Sequence, residues 1–160
     1  MKVSKAQAWG FDLAVSAIIF LAAAFLLYIY TLNSSSGTDE KLSILSHEGE
    51  IVSNTLLSEG YPSNWDESSV VKIGLLTDKK INETKLESFY NLAQIDYGKT
   101  KTLFGIRHNY YVNLSESVVI GGSRIEGIGL LDPNSDNLVR ITRVSIYKDV
   151  PITLTIYLWE

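Results

Sequence analysis

The chain has 160 residues, of which 46% are hydrophobic, so it has room for one globular domain beside a membrane segment. Its formal net charge of -4, without clustered Lys and Arg, excludes a nucleic-acid surface, because phosphate binding needs such clusters. It contains no cysteine, which excludes disulfides, thiolate metal sites and cysteine nucleophiles.

The first predicted element is a membrane helix at residues 7–32. Its central stretch, Leu13–Leu32, contains twenty residues without a charge or a proline. A helix of that length is about 30 Å long, which matches the hydrocarbon thickness of a bilayer. The stretch is apolar on all sides, unlike a core helix of a small domain. The sequence therefore predicts the lipid bilayer as a partner.

Basic residues near this stretch predict its direction. Lys2 and Lys5 precede it, and no basic residue follows before Lys41. The positive-inside rule then places the N-terminus in the cytoplasm and residues 33–160 outside the cell. A cleaved secretory signal peptide is the alternative. Its apolar region normally spans about 7–15 residues and ends in small residues, whereas this one is longer and ends in Tyr-Ile-Tyr-Thr-Leu.

The residues ahead of the apolar stretch resemble a known processing signal. Lys5-Ala6-Gln7, followed by Trp9-Gly10-Phe11-Asp12, is similar to the class III signal peptide of archaeal type IV pilin-like proteins. The resemblance implies that a prepilin-type peptidase cuts between Ala6 and Gln7 and removes a leader of residues 1–6. It also implies that the retained helix associates with further copies of the chain or with other pilin-like subunits.

Asp12 departs from the pilin pattern and has two interpretations. Pilins of bacterial type commonly have Glu at the fifth mature position, where it helps to pair subunits during assembly. After a cut before Gln7, Asp12 is sixth. An assembly role is one interpretation. The other is an N-cap, in which the carboxylate accepts hydrogen bonds from free N–H groups at the start of the helix.

A second helix is predicted from about Thr38 to Ser58, within a stalk of residues 33–59. Its apolar residues recur at spacings of 3, 7 and 4, with Gly49 in the longer gap: Leu42, Leu45, Val52 and Leu56. This stripe predicts packing on the sheet of the same chain. The charged residues are predicted on the wetter sides of the helix: Glu40, Lys41, Glu48, Glu50 and Glu59.

The outer domain, residues 60–160, begins with a predicted turn. Gly60 is predicted to cap the end of the second helix, and Trp65 to be a core or lid residue. A short strand is predicted at 70–76. A helix then begins at Asn82-Glu83-Thr84 and ends at Asp96-Tyr97-Gly98. The apolar face of that helix consists of Leu86, Phe89, Tyr90 and Ala93.

Alternating apolar and polar residues predict a sheet in the rest of the domain. Strands are predicted at 108–114 and 118–120, and a C-terminal hairpin joins 139–147 to 152–158 across Lys148-Asp149. The fold class is therefore α+β. A long N-terminal hydrophobic-to-amphipathic helix precedes an outer domain with a mostly antiparallel sheet and one or two packed helices.

The first arm of the hairpin changes phase along its length. Val139 and Ile141 share one parity, whereas Val144 and Ile146 share the other. A β-bulge adds one residue to a strand, so side chains beyond the bulge point to the opposite face. A bulge near residues 142–143 is therefore predicted.

The sequence predicts no enzyme, cofactor or metal site. His47 and His108 lie on different predicted elements, without a second ligand at helical spacing. The glycine-rich run at 121–129 lacks the spacing of a phosphate loop and is predicted to be a flexible loop or a bulged strand. No residue is predicted to be catalytic. Three N-x-S/T sequons beyond the membrane helix are candidate N-glycosylation sites: Asn33, Asn82 and Asn113.

The sequence supports two functional hypotheses. The first is a pilin-like surface structural protein, inserted in the membrane and assembled into a pilus or a related filament. The second is a monomeric, membrane-tethered extracellular module that binds a surface partner or a glycan. Neither involves nucleic acid.

Overall fold

The computed structural model of the chain describes residues 5–34, 38–120, 122–132, 135 and 137–160. The chain divides into two compact units, Met1–Glu40 and Lys41–Glu160. The first unit contains helix α1 (Lys5–Ser34) and the start of helix α2 (Thr38–Leu56). From Lys41 onward, α2 belongs to the same unit as the sheet.

The second unit contains a sheet of four antiparallel strands with helices on one face. Two short strands come first, β1 (Leu76–Thr77) and β2 (Lys80–Ile81), followed by helices α3 (Glu83–Ile95) and α4 (Tyr97–Phe104). The sheet consists of β3 (Asn109–Ile120), β4 (Ser123–Gly129), β5 (Leu138–Tyr147) and β6 (Val150–Trp159), in the order β4-β3-β6-β5. The predicted α+β fold class is confirmed.

Helix α2 packs on the sheet through the predicted stripe. Leu45, Val52 and Leu56 are fully buried. A Cβ atom added at Gly49 would lie 2.6 Å from Ile141 Cδ1 of β5, so the helix and the sheet approach closely there. Gly60 has a positive φ of 74°, but α2 already ends at Leu56. The predicted C-cap role of Gly60 is therefore wrong.

The next two helices each begin at a side-chain cap and end at a backbone cap. The Asn82 carboxamide accepts a hydrogen bond from the Lys85 N–H at 3.2 Å and caps the start of α3 as predicted. Asp96 ends α3 and also caps α4, because its carboxylate accepts from the Lys99 N–H at 2.8 Å. Gly105 ends α4 in the left-handed conformation, with φ of 72°. Helix α4 was not predicted, since Asp96-Tyr97-Gly98 has the composition of a helix end.

An aromatic cluster joins the helices to the inner face of the sheet. The rings of Phe89 and Phe104 meet edge to face at 5.8 Å, and Tyr110 packs against both. The Tyr110 hydroxyl lies 2.6 Å from Thr100 Oγ1, so its buried polar atom is satisfied. This cluster fixes α3 and α4 on β3.

The segment at 70–75 forms no strand apart from a single bridge between Tyr61 and Lys72. The Leu75 N–H donates to the Leu56 carbonyl at 2.9 Å, and the Leu76 N–H donates to the Ser58 carbonyl at 2.9 Å. The segment thus bonds to the end of α2 instead of to a neighbouring strand. The predicted strand at 70–76 is wrong except for Leu76, which begins β1.

Trp65 is a core residue, as predicted, and only 2% of it is exposed. Its indole Nε1 donates a hydrogen bond to the Gly74 carbonyl at 2.8 Å. The indole therefore holds the 70–75 segment beside the turn that follows α2.

The C-terminal hairpin is present, but the bulge predicted near residues 142–143 is not. The register runs without a shift from the pair Leu138 and Trp159 to the pair Tyr147 and Val150. Lys148 and Asp149 both have positive φ, as a two-residue type I′ turn requires. Val144 therefore lies on the outward face, where 69% of it is exposed.

The predicted strands at 108–114 and 118–120 are parts of one strand, β3. Its register with β4 shifts between Asn113 and Val118. The glycine-rich run contributes the strand β4 at 123–129 and is not a flexible loop there. Between the pairs Asn113–Gly127 and Val118–Ile125, β3 advances five residues and β4 only two, so the extra residues of the bulge lie in β3 and not in the glycine-rich run. This irregularity lets β4 carry Arg124 and Glu126 on the outward face, close to β3.

Candidate functional site

Helix α1 contains a span, Trp9–Leu32, that is long and apolar enough to cross a membrane. Its 24 residues leave large side chains exposed, including Phe20 at 72% and Leu26 at 68%. The Thr31 hydroxyl donates to the Leu27 carbonyl at 2.8 Å, so this polar group is satisfied within the helix. Internal satisfaction of polar groups is what a bilayer demands.

The predicted processing residues Ala6 and Gln7 lie in the first turn of α1, which begins at Lys5. Residues 1–4 of the predicted leader lie outside the described residues. Asp12 lies inside α1 and not before its first turn. The N-cap interpretation of Asp12 is therefore wrong, because the helix begins upstream of this residue. The assembly interpretation stays a prediction.

The three sequon residues lie in different environments. Asn33 is in the last turn of α1. Asn82 is half-buried as the cap of α3, and its Nδ2 donates to Thr77 Oγ1 at 3.3 Å. Asn113 is half-buried in the central strand β3, on the outward face. Their glycosylation stays a prediction.

The outward face of the sheet carries an open groove of about 540 Å³. Its polar side chains come from three neighbouring strands: Tyr111, Asn113 and Ser115 of β3, Arg124 and Glu126 of β4, and Tyr157 of β6. Leu131 adds an apolar wall. Because side chains alternate along strands, residues two apart on β3 are brought together on this face.

Most of these polar groups have no partner within the described part of the chain. There, the hydroxyls of Tyr111 and Tyr157, the Asn113 amide, and the Arg124 and Glu126 side chains make no hydrogen bond or ion pair. Ser115 differs, since its Oγ accepts the Thr153 N–H at 2.9 Å and prolongs the ladder between β3 and β6. Five polar side chains thus converge on one groove with free hydrogen-bonding capacity.

Tyr111 lines the groove from β3. A Cβ atom at Gly127 would lie within 2.4 Å of its phenol ring, so the glycine leaves the space that the ring occupies. Burial, followed by electrostatic interactions with Glu126 and Tyr157, raises the pKa of the Tyr111 phenol. The phenol is therefore neutral at physiological pH and able to donate a hydrogen bond.

A second polar cluster, formed by Glu48 and His108, joins α2 to the start of β3. Glu48 was predicted on a wet side of the helix, but only 7% of it is exposed, so that prediction is wrong. Its carboxylate accepts hydrogen bonds from the N–H groups of Arg107 and His108, and it lies 3.0 Å from His108 Nδ1. The other four charged residues that were predicted on the wetter sides are exposed: Glu40, Lys41 and Glu50 of α2, and Glu59 just beyond its end.

No family model matches the chain, and no curated protein or solved structure shows significant similarity to it.

Sequence reasoning missed the groove for a specific reason. The outward facing of Tyr111, Asn113 and Tyr157 follows from the alternation of their strands. Their proximity depends on β6 pairing directly with β3, and that of Arg124 and Glu126 on the shifted register of β4. The strand order was not predictable from the sequence.

Proposed function

We propose that the chain is a pilin-like surface structural subunit. In this proposal α1 crosses the membrane with its N-terminus in the cytoplasm, and residues 33–160 lie outside the cell. A prepilin-type peptidase removes residues 1–6, and the retained helices of neighbouring subunits pack together in a filament.

The observation that carries the proposal is the exposed apolar surface of α1. Moving each large apolar side chain of Trp9–Leu32 out of water is favourable by roughly 1.5–3 kcal/mol of transfer free energy. A surface of this size requires lipid or other apolar helices around it. Either environment agrees with a subunit that is first inserted in the bilayer and then assembled.

The separate unit Lys41–Glu160 supports the same function. Its own core contains the stripe of α2, including Leu45, Val52 and Leu56, so these side chains are already used in folding the outer domain. Assembly through α1 therefore needs no rearrangement of that core. The charge distribution also favours insertion with the N-terminus inside, since Lys2 and Lys5 precede the apolar span Trp9–Leu32 and Lys41 is the next basic residue.

Cysteine cross-linking tests assembly without background, because the natural chain has no cysteine. Ala14 and Ala23 are nine positions apart, which places them on opposite sides of a helix with about 3.6 residues per turn. A double variant, Ala14→Cys with Ala23→Cys, treated in cells with a flexible bismaleimide, can link each subunit to two neighbours. A filament predicts a ladder of dimers, trimers and larger species.

The single variant Ala14→Cys is the matched control, since one cysteine per chain limits the product to dimers. Electron microscopy of material sheared from the same cells should show filaments that contain the chain. A double variant that stays monomeric, from cells without such filaments, would contradict assembly and leave a tethered monomer.

A further inference from the structure

We infer that the groove on the outward face of the sheet is a binding site for a short, neutral saccharide supplied from outside the chain. The site is formed by Tyr111, Asn113, Arg124, Glu126 and Tyr157. It adds recognition to a chain whose proposed function is structural, and it does not depend on filament assembly.

The size and openness of the groove suit a small polar ligand. Its volume of about 540 Å³ lies within the range of roughly 300–1,000 Å³ that is typical of small-molecule sites. It lies across the face of three strands, and at Tyr111–Asn113 the backbone of β3 is paired with β4 on one side and with β6 on the other. A peptide that adds a strand needs a free sheet edge, and the centre of this groove offers side chains instead.

The side chains match the two kinds of surface that a sugar ring presents. A pyranose has a C–H face that packs on an aromatic ring, and Tyr111 and Tyr157 supply two such rings. Its hydroxyls need both donors and acceptors. The groove offers the phenols, the Asn113 amide, the Arg124 guanidinium and the Glu126 carboxylate, which makes it capable of both roles.

The charges favour a neutral ligand over an ionic one. Arg124 and Glu126 bring one positive and one negative charge to the same strand, so the formal charges of the groove cancel. A phosphate or a carboxylate ligand would gain from Arg124 but be repelled by Glu126. A cationic ligand would be attracted by Glu126 but repelled by Arg124. Neutral hydroxyls can bond to both side chains without such repulsion.

The test is a saccharide titration of the full chain in dodecylphosphocholine micelles, because this detergent has no sugar headgroup. Triacetylchitotriose and maltotriose are the neutral probes, and trigalacturonate is the anionic comparison. Saturation-transfer NMR detects contact with the sugar protons, and amide shifts in the labelled protein give the dissociation constant. We expect saturable, millimolar or tighter binding of at least one neutral probe and weaker binding of trigalacturonate.

Two variants locate the binding. Tyr157→Ala removes one ring and should weaken binding by about ten-fold, and Arg124→Ala, at an exposed position, should weaken it several-fold. Arg107→Ala is the matched control, because Arg107 is also exposed but does not line the groove, and it should leave binding unchanged. Thermal unfolding of each variant verifies that the outer domain is folded.

Three results would overturn the inference. The first is no saturable binding of either neutral probe at millimolar concentration. The second is binding that neither Tyr157→Ala nor Arg124→Ala weakens in a folded protein. The third is a covalent glycan on Asn113 in protein isolated from its own cells, since that glycan would occupy the groove permanently.

Discussion

Glu48 connects α2 to the first residues of β3, although the two segments are about sixty positions apart in the chain. Its carboxylate accepts the N–H groups of Arg107 and His108 at 3.2 and 3.1 Å and also faces the His108 ring. Burial by itself raises the pKa of this carboxyl. The hydrogen bonds from His108 and Arg107 outweigh that effect, so the pKa lies below its ordinary value of 4.5.

Replacing Glu48 should destabilise the outer domain in a pH-dependent way. Glu48→Gln places an amide where a charged acceptor was, and we expect a loss of about 1–3 kcal/mol in the free energy of unfolding at neutral pH. Because the folded-state pKa is lowered, the stabilisation is complete above 4.5 and is lost as the pH falls through the folded-state value. Denaturant unfolding of the full chain in micelles, measured across pH, checks both statements.

The matched control is Glu50→Gln, on the same helix at an exposed position. It should change the free energy of unfolding by less than about 0.5 kcal/mol. An equal loss in both variants, or a difference between Glu48→Gln and the natural protein that does not shrink in acid, would contradict the role assigned to Glu48.

Glu48 also illustrates what could not be predicted at the level of single residues. As a carboxylate on an amphipathic helix, it was predicted to be exposed to solvent. Its partners are backbone N–H groups at a strand entrance, and nothing in the sequence pattern of α2 points to them. Trp65 was predictable as a core residue because its size alone favours burial, although its partner, the Gly74 carbonyl, was not.

At the scale of elements, the packing of α2 depends on a small residue at position 49. An added Cβ would lie 2.6 Å from Ile141 Cδ1 and 3.0 Å from Leu158 Cδ1. Both contact atoms are at the ends of side chains, so Gly49→Ala can be accommodated by small shifts. It should be nearly neutral, since Ala also favours the helix by about 1 kcal/mol over Gly.

A larger side chain at the same position cannot be accommodated in this way. Gly49→Leu should destabilise the outer domain by about 1–3 kcal/mol through overpacking. Trimming the sheet with Ile141→Ala in the Gly49→Leu background should recover part of that loss, because the two positions are in contact. Denaturant unfolding of the natural protein, of each single variant and of the double variant measures the coupling free energy between the two positions.

Ser46→Leu is the control for the Gly49 series, because Ser46 is exposed on the same helix. It should stay within about 0.5 kcal/mol of the natural protein. Additive effects of Gly49→Leu and Ile141→Ala would show that the helix does not pack on Ile141.

The elements that could be predicted are those with a strong periodic pattern or a clear cap. The apolar stripe identified α2, Asn82 marked the start of α3, and alternation identified β6. Helix α4 was missed because Asp96 both ends one helix and begins the next. The bulge near residues 142–143 was predicted on the assumption that Val144 must be buried, whereas β5 leaves it exposed in an unbroken register.

At the scale of the whole molecule, the chain combines an exposed apolar helix with a separate compact unit. Composition and the uninterrupted stretch Leu13–Leu32 were sufficient to predict the apolar helix. The α+β class of the compact unit was also predictable. The groove was not, because it depends on which strands are neighbours and on the shifted register of β4.

The proposed function depends most directly on where the mature chain begins. Intact mass and N-terminal fragment spectra of the protein purified from its own membranes give this position without any variant. We predict a chain that begins at Gln7, lacks Lys2 and Lys5, and retains the whole span Trp9–Leu32. A membrane-bound chain that begins at Met1 would contradict pilin-like processing, and so would one that begins beyond Leu32, as a cleaved secretory signal would leave.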